Sequence, residues 1–475
     1  MVHVGRAAPP TPRVQPGRPA GAGGTDGRLS GRSARHRRPS TAVAFRRGSA
    51  ADYAAVLKLL ALAFGQTRPD RFAANHLLDP RFRHRDALLA LSDGQPVSHL
   101  VVHRWRLRLL GGPAGGVPFG GIGEVATRPE QRRRGYSSEL LRRSIGLMAG
   151  LRLPLSALGT PIPEFYARLG WEQIARPDYR LSFAPASPPG AYPLSSAAEY
   201  AVRPFRDDDL DACVALYERF CARRPRTIVR TRDYWRGQLQ KTGLVRSAFE
   251  VPSSVALVAV GRRSGAVEAY LRLREFGPWG GEGIGVDEAC YREPYAMRAL
   301  WPHVLATAVE AAGEGRPATI AARLPDDHEL SGLLLTAGGE RQIEGGQMFR
   351  LNDLRRLFAH LRQPIERRLR QAASPRLRLL IAAPYRWLPD GPGGGEALLT
   401  WDGESLTVAA ADGAAEPDAV RCRFDSTAWL RLLLGESAVA SLLAEYDCSA
   451  EVARFLGDAF PADWLAPVYW RTDSF

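Results

Sequence analysis

The sequence is poor in cysteine, lysine and asparagine, and it has no long apolar run. Its five cysteines form no Cys-x-x-Cys pair and no Cys/His cluster at zinc spacing, so we predict free thiols and no metal site. No apolar run reaches the ~20 residues that a membrane-spanning helix needs. The N-terminus also lacks the apolar segment of a secretory signal. We therefore expect a cytoplasmic protein without a membrane partner.

Several common catalytic motifs are also absent. The sequence contains no His-Glu-x-x-His and no Gly-x-Ser-x-Gly. The glycines at 393–395 are not followed by the lysine of a P-loop, and those at 120–123 lack the spacing of a dinucleotide-binding fold. The nine histidines are dispersed along the chain, and we expect them to have structural or surface roles.

The positive charge of the chain is concentrated at one end. A net charge of +14 would suit a nucleic-acid partner. Residues 1–40, however, hold eight arginines against a single acid, Asp26, and therefore half of this excess. Only Lys58 and Lys241 are lysines, so the arginine content reflects a compositional bias. We expect residues 1–40 to form a disordered basic tail, and we expect no nucleic-acid partner.

The remaining chain shows two units with the same order of elements. The first, over 41–185, has strands at 43–46, 87–91, 97–110, 121–127 and 154–158, and helices at 50–64 and 136–149. A Pro/Ser/Gly stretch at 185–193 is the candidate linker. The second unit, over 194–355, repeats the pattern with strands at 201–205, 255–260, 267–274 and 283–287 and helices at 209–221 and 295–312. This repetition indicates a duplicated fold.

The last hundred residues differ in character. A basic helix over 353–372 leads into a region at 365–475 with strands at 397–401 and 405–410. Helices are predicted at 426–434, 438–445 and 449–460, and Val468 and Trp470 alternate as in a strand. The pattern predicts a small α+β domain, and the whole chain is predicted to be an α+β protein with mixed sheets.

The most specific motif joins a strand that ends at Thr127 to a helix that begins near Tyr136. Between them lie Arg132-x-x-Gly135-x-Ser137 and three consecutive arginines. The amides at 132–138 and the positive end of the helix dipole would form a cradle for a pyrophosphate. The alternative is a solvated basic helix start.

This motif resembles that of the GNAT acyltransferase superfamily, Arg/Gln-x-x-Gly-x-Gly/Ala, with Ser137 in place of the last small residue. Phe165-Tyr166 and Gly170-Trp171 resemble a second segment of that family. The resemblance implies that acetyl-CoA is the co-substrate and that Tyr166 is the general acid, the alternative being a core tyrosine. It also implies a bulge in the strand before the loop. The implied cofactor-binding residues are Val125, Ala126, Thr127, Arg132, Arg133, Arg134, Gly135, Tyr136, Ser137 and Ser138.

Across nearly the whole chain after residue 40, the sequence resembles the enhanced intracellular survival (Eis) family of N-acetyltransferases. Tyr234-Trp235, Arg298 to Trp301 and the terminal Phe475 carry this resemblance, which implies two tandem GNAT-like domains and a C-terminal domain like the sterol carrier protein. It also implies that the Phe475 carboxylate is the general base, although a frayed terminus is the alternative. A small-molecule or peptide amine, such as an aminoglycoside or a lysine, is the implied acceptor, and a hexamer is the implied assembly.

The second unit lacks the cofactor loop. The stretch Tyr291-Arg-Glu-Pro294-Tyr-Ala-Met-Arg298 stands where Arg-x-x-Gly would be, and no glycine would let a phosphate approach. We therefore expect a degenerate domain that does not bind CoA. A different class of function stays open, in which the chain is a non-catalytic acyl-CoA or lipid sensor that uses the sterol-carrier-like domain.

Overall fold

The computed structural model describes residues 42–65, 70–189, 197–241, 255–275, 283–345, 347–385, 394–411, 417–470 and 473. The predicted tail, residues 190–193 of the predicted linker and Phe475 lie outside these residues. No helix within the described ranges has the length and apolar character needed to cross a bilayer.

Eighteen strands and twelve helices are present in these ranges. The strands are β1 (Ala44–Arg47), β2 (Ala87–Ser92), β3 (Gln95–Leu107), β4 (Val117–Thr127), β5 (Leu155–Gly159), β6 (Glu172–Gln173), β7 (Arg176–Phe183), β8 (Tyr200–Pro204), β9 (Val255–Gly261), β10 (Val267–Glu275), β11 (Ile284–Tyr291), β12 (Ala318–Ala322), β13 (Glu340–Glu344), β14 (Gln347–Leu351), β15 (Leu377–Ala382), β16 (Glu396–Trp401), β17 (Leu406–Ala409) and β18 (Val420–Arg423). The helices are α1 (Tyr53–Ala63), α2 (Asp70–Leu77), α3 (Tyr136–Gly150), α4 (Pro163–Ala167), α5 (Leu210–Cys221), α6 (Arg232–Lys241), α7 (Pro294–Ala312), α8 (Glu329–Thr336), α9 (Leu354–Gln371), α10 (Ser426–Leu433), α11 (Val439–Glu445) and α12 (Ala450–Ala459).

Two seven-stranded sheets repeat one architecture. The first has the order β1-β2-β3-β4-β5-β14-β6, and the second has the order β8-β9-β10-β11-β12-β7-β13. In the first sheet, β2 and β3 are joined by Asp93 and Gly94, whose φ angles of 51° and 74° form the tight turn that matches the twist of a hairpin. The predicted duplication of the fold is therefore confirmed.

The two sheets exchange one strand each. β7 follows the first set of strands in the chain, yet it pairs with β12 and β13 of the second sheet. Conversely, β14 pairs with β5 and β6 of the first sheet. The predicted ranges 41–185 and 194–355 do not describe this exchange. The last strand of the first range, β7, belongs to the second sheet, and the last strand of the second range, β14, belongs to the first sheet. The sheets are consequently tied together by backbone hydrogen bonds.

The C-terminal region adds a four-stranded sheet with the order β17-β16-β15-β18, against which α9 and α12 pack. Its apolar side chains share a core with one face of the first sheet, where Trp105 and Phe349 pack with Phe358 and Trp429. The fold class, two tandem mixed sheets followed by a sheet-helix domain, is as predicted. The strand expected near Val468 and Trp470 is wrong: residues 461–470 pair with no strand, and both side chains are instead buried in the core of the second sheet.

Candidate functional site

The strand β4 carries a bulge at the predicted position. Ser98 and His99 of β3 pair with Thr127 and Ala126, but the register then shifts so that Val101 pairs with Gly123. Glu124 and Val125 thus share one partner position, and Glu124 has a φ of 55°. The bulge that the family resemblance implied is confirmed.

Beyond the bulge, β4 has an open edge on the side of β5. The parallel pairing of these strands ends at Gly121 and Ala157, although β4 continues to Thr127. Within the described residues, the main chain from Val125 to Thr127 therefore has no strand partner on that side. An extended ligand could pair with this edge by main-chain hydrogen bonds.

The loop after β4 ends in an uncapped helix. Gly135 is the N-cap of α3 with a φ of 81°, and no side chain caps the first turn. A Cβ placed on Gly135 would have no neighbour within 4 Å, so the space before the helix is open. Arg132 to Arg134 are exposed beside it. The free amides, the helix dipole and the arginines fit the pyrophosphate of acetyl-CoA.

Hydroxyl groups connect the end of β4 with the start of α3. The Thr127 Oγ1 lies 2.7 Å from Ser137 Oγ and 2.8 Å from Ser98 Oγ. Ser98 also donates to the carbonyl of Ala126 at 2.8 Å. The structure therefore brings Thr127, at the end of the strand, and Ser137, at the start of the helix, into direct contact.

Tyr166 lies on α4 in the apolar cluster that also contains Val125 and Tyr136. Burial raises the pKa of its hydroxyl to about 12, and a hydrogen bond with Thr160 opposes this shift only in part. The phenol therefore keeps its proton at neutral pH, as a general acid must. Phe475, the other predicted catalytic residue, lies outside the described residues.

A buried carboxylate at the bulge is a feature that sequence reasoning missed. The Glu124 Oε2 lies 2.6 Å from Nε2 of His76 on α2, and Nδ1 of His99 lies 3.1 Å from the Glu124 carbonyl oxygen. Burial alone would raise the pKa of Glu124, but the hydrogen bond from His76 lowers it below its ordinary value. Glu124 is therefore ionised at neutral pH and can accept a proton.

Two of these histidines are held neutral. Burial lowers the pKa of His99 and of His103 to about 4, although the charge of Glu124 opposes the shift. The histidines are dispersed along the sequence, as expected, but His76, His99 and His103 lie close together around Glu124 in the fold. A signal was present, because His99 and His103 are four residues apart, and an even separation places strand side chains on one face.

The guanidinium of Arg81 contacts two aromatic rings next to this cluster. The Arg81 guanidinium lies 4.6 Å from the Trp105 ring and 4.0 Å from the ring of Tyr234 on α6. Its Nε donates to Asp79 Oδ1 at 2.9 Å. The contact joins the first sheet to α6 of the second half of the chain.

Asp473 of the C-terminal segment contacts the same Tyr234 side chain. Tyr234 Oη donates to Asp473 Oδ1 at 3.2 Å, and Arg230 donates to both Asp473 oxygens at 2.9 and 2.8 Å. Arg230 also donates to Glu288 on β11 at 3.0 and 2.6 Å. Both carboxylates and the guanidinium are wholly inaccessible to solvent.

The equivalent helix of the second half is different. The helix α7 has Glu293 as its N-cap and Pro294 as its first residue, so an acidic side chain and a missing N–H replace the open glycine start. This arrangement does not fit a phosphate. Within the described ranges, no group of three or more His, Cys, Asp or Glu side chains has the geometry of a metal site.

Comparison with known proteins found a similarity for the N-terminal part of the first sheet. Residues 44–174 match the family model of the acetyltransferase (GNAT) domain, so this part of the chain is similar to that family. An uncharacterized N-acetyltransferase of Streptomyces coelicolor is 27% identical over 193 residues, which cover 38% of this chain. The chain matches only 44% of that relative's length.

Solved structures extend the likeness to most of the chain. A probable N-acyltransferase of unknown function from Enterococcus faecalis superposes with a TM-score of 0.65 at 17% identity, over 92% of this chain and 100% of that one. Eis1 from Mycobacterium abscessus superposes with a TM-score of 0.56 at 18% identity, over 91% and 100%. At these identities the likeness concerns the fold.

Proposed function

We propose that the protein is an N-acetyltransferase that uses acetyl-CoA and acts on an amine. The observation that carries the proposal is the continuity of the open β4 edge at Val125–Thr127 with the uncapped start of α3 at Gly135. Main-chain groups of Val125 would bind the thioester carbonyl, and the amides and arginines of the loop would bind the pyrophosphate. The names of the Streptomyces and Enterococcus proteins agree with this activity.

Tyr166 is the proposed general acid. When the amine attacks the thioester carbon, the C–N bond forms and the C–S bond breaks, and the departing thiolate needs a proton. The Tyr166 hydroxyl is protonated at neutral pH and lies in one cluster with Val125. Both facts support the assignment that the family resemblance implied.

Two carboxylates could take the proton of the amine. The first is that of Phe475, which the resemblance to the Eis family implies. Asp473 supports it, because its neighbour Tyr234 contacts Trp105 of the first sheet with ring centres 5.9 Å apart. Two residues can span at most ~7 Å beyond Asp473. The second is Glu124, which lies next to Val125 at the bulge.

The acceptor class follows the Eis resemblance, so the proposed acceptors are small-molecule or peptide amines such as aminoglycosides or lysine-like amines. We also carry over the proposals of a hexamer, of a cytoplasmic protein and of a C-terminal domain like the sterol carrier protein. Sedimentation velocity on the purified chain would test the hexamer directly.

Turnover assays test the proposal. Release of CoA from acetyl-CoA would be followed with aminoglycosides, polyamines and lysine peptides. We expect Tyr166→Phe to reduce kcat by about 10²- to 10⁴-fold. The matched control is Tyr217→Phe, which removes a buried hydroxyl that donates to the Ile228 carbonyl at 2.7 Å in the second half. Deletion of Phe475 and Glu124→Gln separate the two candidate bases, because only the variant without the true base should lose turnover.

One observation favours a second function. A groove of about 440 Å³ is lined by apolar side chains of the C-terminal region, among them Leu443, Phe460, Trp464 and Leu465. It suits a lipid or acyl chain, as a non-catalytic acyl-CoA or lipid sensor would require. Lipid that copurifies with the full chain, together with no turnover on any amine, would favour the sensor.

A further inference from the structure

The exchanged strand β14 carries a buried arginine that contacts the segment after α4, the helix of Tyr166. Arg350 lies in β14, which comes from the second half of the chain and pairs with β5 and β6 of the first sheet. Its Nε donates to the carbonyl of Leu169 at 3.0 Å, across 181 positions of sequence. Leu169 follows α4 by two residues. The strand exchange therefore brings Arg350 next to the helix that carries the proposed general acid.

The turn after α4 is bonded to Tyr166 on one side and to Arg350 on the other. The carbonyl of Tyr166 accepts from the amide of Leu169 at 2.9 Å and from the amide of Trp171 at 3.4 Å. Gly170, between them, has a φ of 86°, and a Cβ placed on it would lie 3.2 Å from Nε of Arg350. Leu169 thus donates to Tyr166 with its N–H and accepts from Arg350 with its carbonyl. One residue links the arginine to the backbone of Tyr166.

The guanidinium is itself held by several contacts. Nη1 of Arg350 donates to Oδ1 of Asn352 at 2.7 Å, and the Asn352 amide donates in turn to the carbonyl of Leu153 at 3.1 Å. The guanidinium carbon lies 4.8 Å from the centre of the Tyr385 ring and 5.7 Å from the Trp171 ring. Contacts on both sides and at one end restrict the guanidinium. The direction of its hydrogen bond to the turn is therefore fixed.

Folding stability does not by itself account for a charged side chain at this position. Arg350 is 4% exposed, and among the described residues no carboxylate forms an ion pair with it. Burial lowers the pKa of its guanidinium. A buried charge without a counter-charge is costly, and a well-packed apolar side chain in its place is often neutral or stabilising. The hydrogen bond to the turn, in contrast, needs a donor at this place.

We propose that Arg350 is a positioning residue that holds the Tyr166 hydroxyl where it can protonate the departing thiolate of CoA. The inference rests on the proposed acetyltransferase function, in which Tyr166 is the general acid. An acid must lie within hydrogen-bond distance of the atom that it protonates, and a displacement of about 1 Å can reduce the rate by about 10²-fold. Arg350 does not contact the reacting atoms and acts only through the turn at 169–171. The second half of the chain thus contributes to the reaction of the first sheet.

Steady-state kinetics of the full chain with acetyl-CoA and its best amine test the proposal. Arg350→Met removes the donor to the turn. We expect kcat to fall by about 10- to 100-fold and KM for acetyl-CoA to stay within about twofold of the wild type. In a Tyr166→Phe background, Arg350→Met should reduce kcat further by less than about twofold, because the acid that Arg350 positions is already absent. Arg350→Lys keeps one donor and should lose less than Arg350→Met.

The matched control is Arg108→Met. Arg108 is 3% exposed and donates to the carbonyl of Ile228 at 3.1 Å, next to the end of β3 that lies away from the bulge. This variant also loses a buried guanidinium that binds a backbone carbonyl, but it should keep kcat within about twofold of the wild type. Thermal denaturation shows that each variant is folded at the assay temperature.

Fluorine NMR reports on Tyr166 without turnover. With 3-fluorotyrosine at position 166, the resonance should be alike in the wild type and in Arg108→Met, and shifted or broadened in Arg350→Met. An unchanged resonance would overturn the proposal. So would a kcat of Arg350→Met within about twofold of the wild type, or an equal loss of kcat with and without the Tyr166 hydroxyl. If the wild type releases no CoA with any amine, the acetyltransferase proposal fails instead, and the resonance still shows whether Arg350 holds Tyr166.

Discussion

Arg230 and Asp473 form a doubly hydrogen-bonded ion pair across 243 positions of sequence, with no exposure to solvent. Glu288 of β11 binds the other edge of the same guanidinium, and the rings of Tyr217 and Trp235 lie 4.0 and 4.6 Å from it. β11 occupies the place in the second sheet that β4 occupies in the first. In the second half, β11, which corresponds to the bulged β4, thus binds Asp473 through Arg230.

Arg230→Met should strongly destabilise the protein. It removes the guanidinium that the buried carboxylates of Glu288 and Asp473 both bind, and the loss of one partner of a buried ion pair costs about 3–5 kcal/mol. Urea denaturation of the full chain measures the free energy of unfolding. The matched control is Arg232→Met, which breaks an exposed pair with Asp211 and should cost at most about 1 kcal/mol. Equal losses in the two variants would contradict the burial argument.

The packing of α6 against the loop after α2 leads to a second prediction. A Cβ on Gly237 would lie 1.9 Å from the carbonyl oxygen of Leu78, so the two backbones touch. Gly237→Ala must push them apart and should reduce the free energy of unfolding by about 3 kcal/mol or more. It should also loosen the contact of Tyr234 with Arg81.

The control for this substitution is Gly146→Ala on the exposed face of α3, where a Cβ would meet nothing within 4 Å. It should raise the free energy of unfolding by about 0.5–1 kcal/mol, because alanine loses less backbone freedom in a helix than glycine does. Thermal denaturation should show a lower Tm for Gly237→Ala and a higher Tm for Gly146→Ala. A stabilised Gly237→Ala variant would show that α6 does not approach Leu78.

The local elements were predictable from sequence, and their assembly was not. Periodicity located α1, α3, α5, α7 and the hairpins because each has a clear apolar face. The exchange of β7 and β14 was hidden, because neither strand was predicted and the residues of a strand do not specify which sheet it joins. The Arg-x-x-Gly motif located the cofactor loop because its residues are adjacent in sequence.

The contact of Glu124 with His76 could not be predicted for a related reason. His76 lies on α2, a helix of only eight residues that was not predicted, and Glu124 is directed towards it by a bulge. A bulge changes which way a side chain points, and the sequence does not specify that change. Similarly, Arg230 and Asp473 are separated by most of the second half of the chain.

A pH prediction concerns His328, the N-cap of α8. Its Nδ1 accepts from the Leu330 amide at 3.0 Å, and its Nε2 donates to the Ala289 carbonyl at 3.2 Å. Burial lowers the pKa of His328 from its ordinary 6.5 to about 3. Below pH 6.5, His328 is therefore protonated in the unfolded chain, whereas in the folded chain it stays neutral until the pH approaches 3. The contribution of the neutral His328 to the free energy of unfolding is present above pH 6.5 and is lost as the pH falls towards 3.

His328→Asn keeps a capping oxygen and removes the titration. Its free energy of unfolding should fall less steeply with acid than that of the wild type, by about 1.4 kcal/mol per pH unit between pH 6 and pH 4. Urea titrations at several pH values measure the slope. The exposed His303→Asn on α7 serves as the control and should follow the wild type. Parallel acid slopes for His328→Asn and the wild type would mean that His328 is charged in the folded protein.

The last prediction concerns the proposed pyrophosphate cradle. Gly135→Ala places a Cβ on a residue with a φ of 81°, which costs about 1–2 kcal/mol, and the methyl group projects into the open space before α3. Acetyl-CoA should therefore bind with a Kd at least about tenfold higher, measured by titration calorimetry. Gly265→Ala is the matched control, because this glycine has a φ of 66° and open space around it in the β9–β10 turn. The control should lose similar stability and keep the wild-type Kd. A cradle at Gly135 requires these two Kd values to differ, since backbone strain is common to both variants.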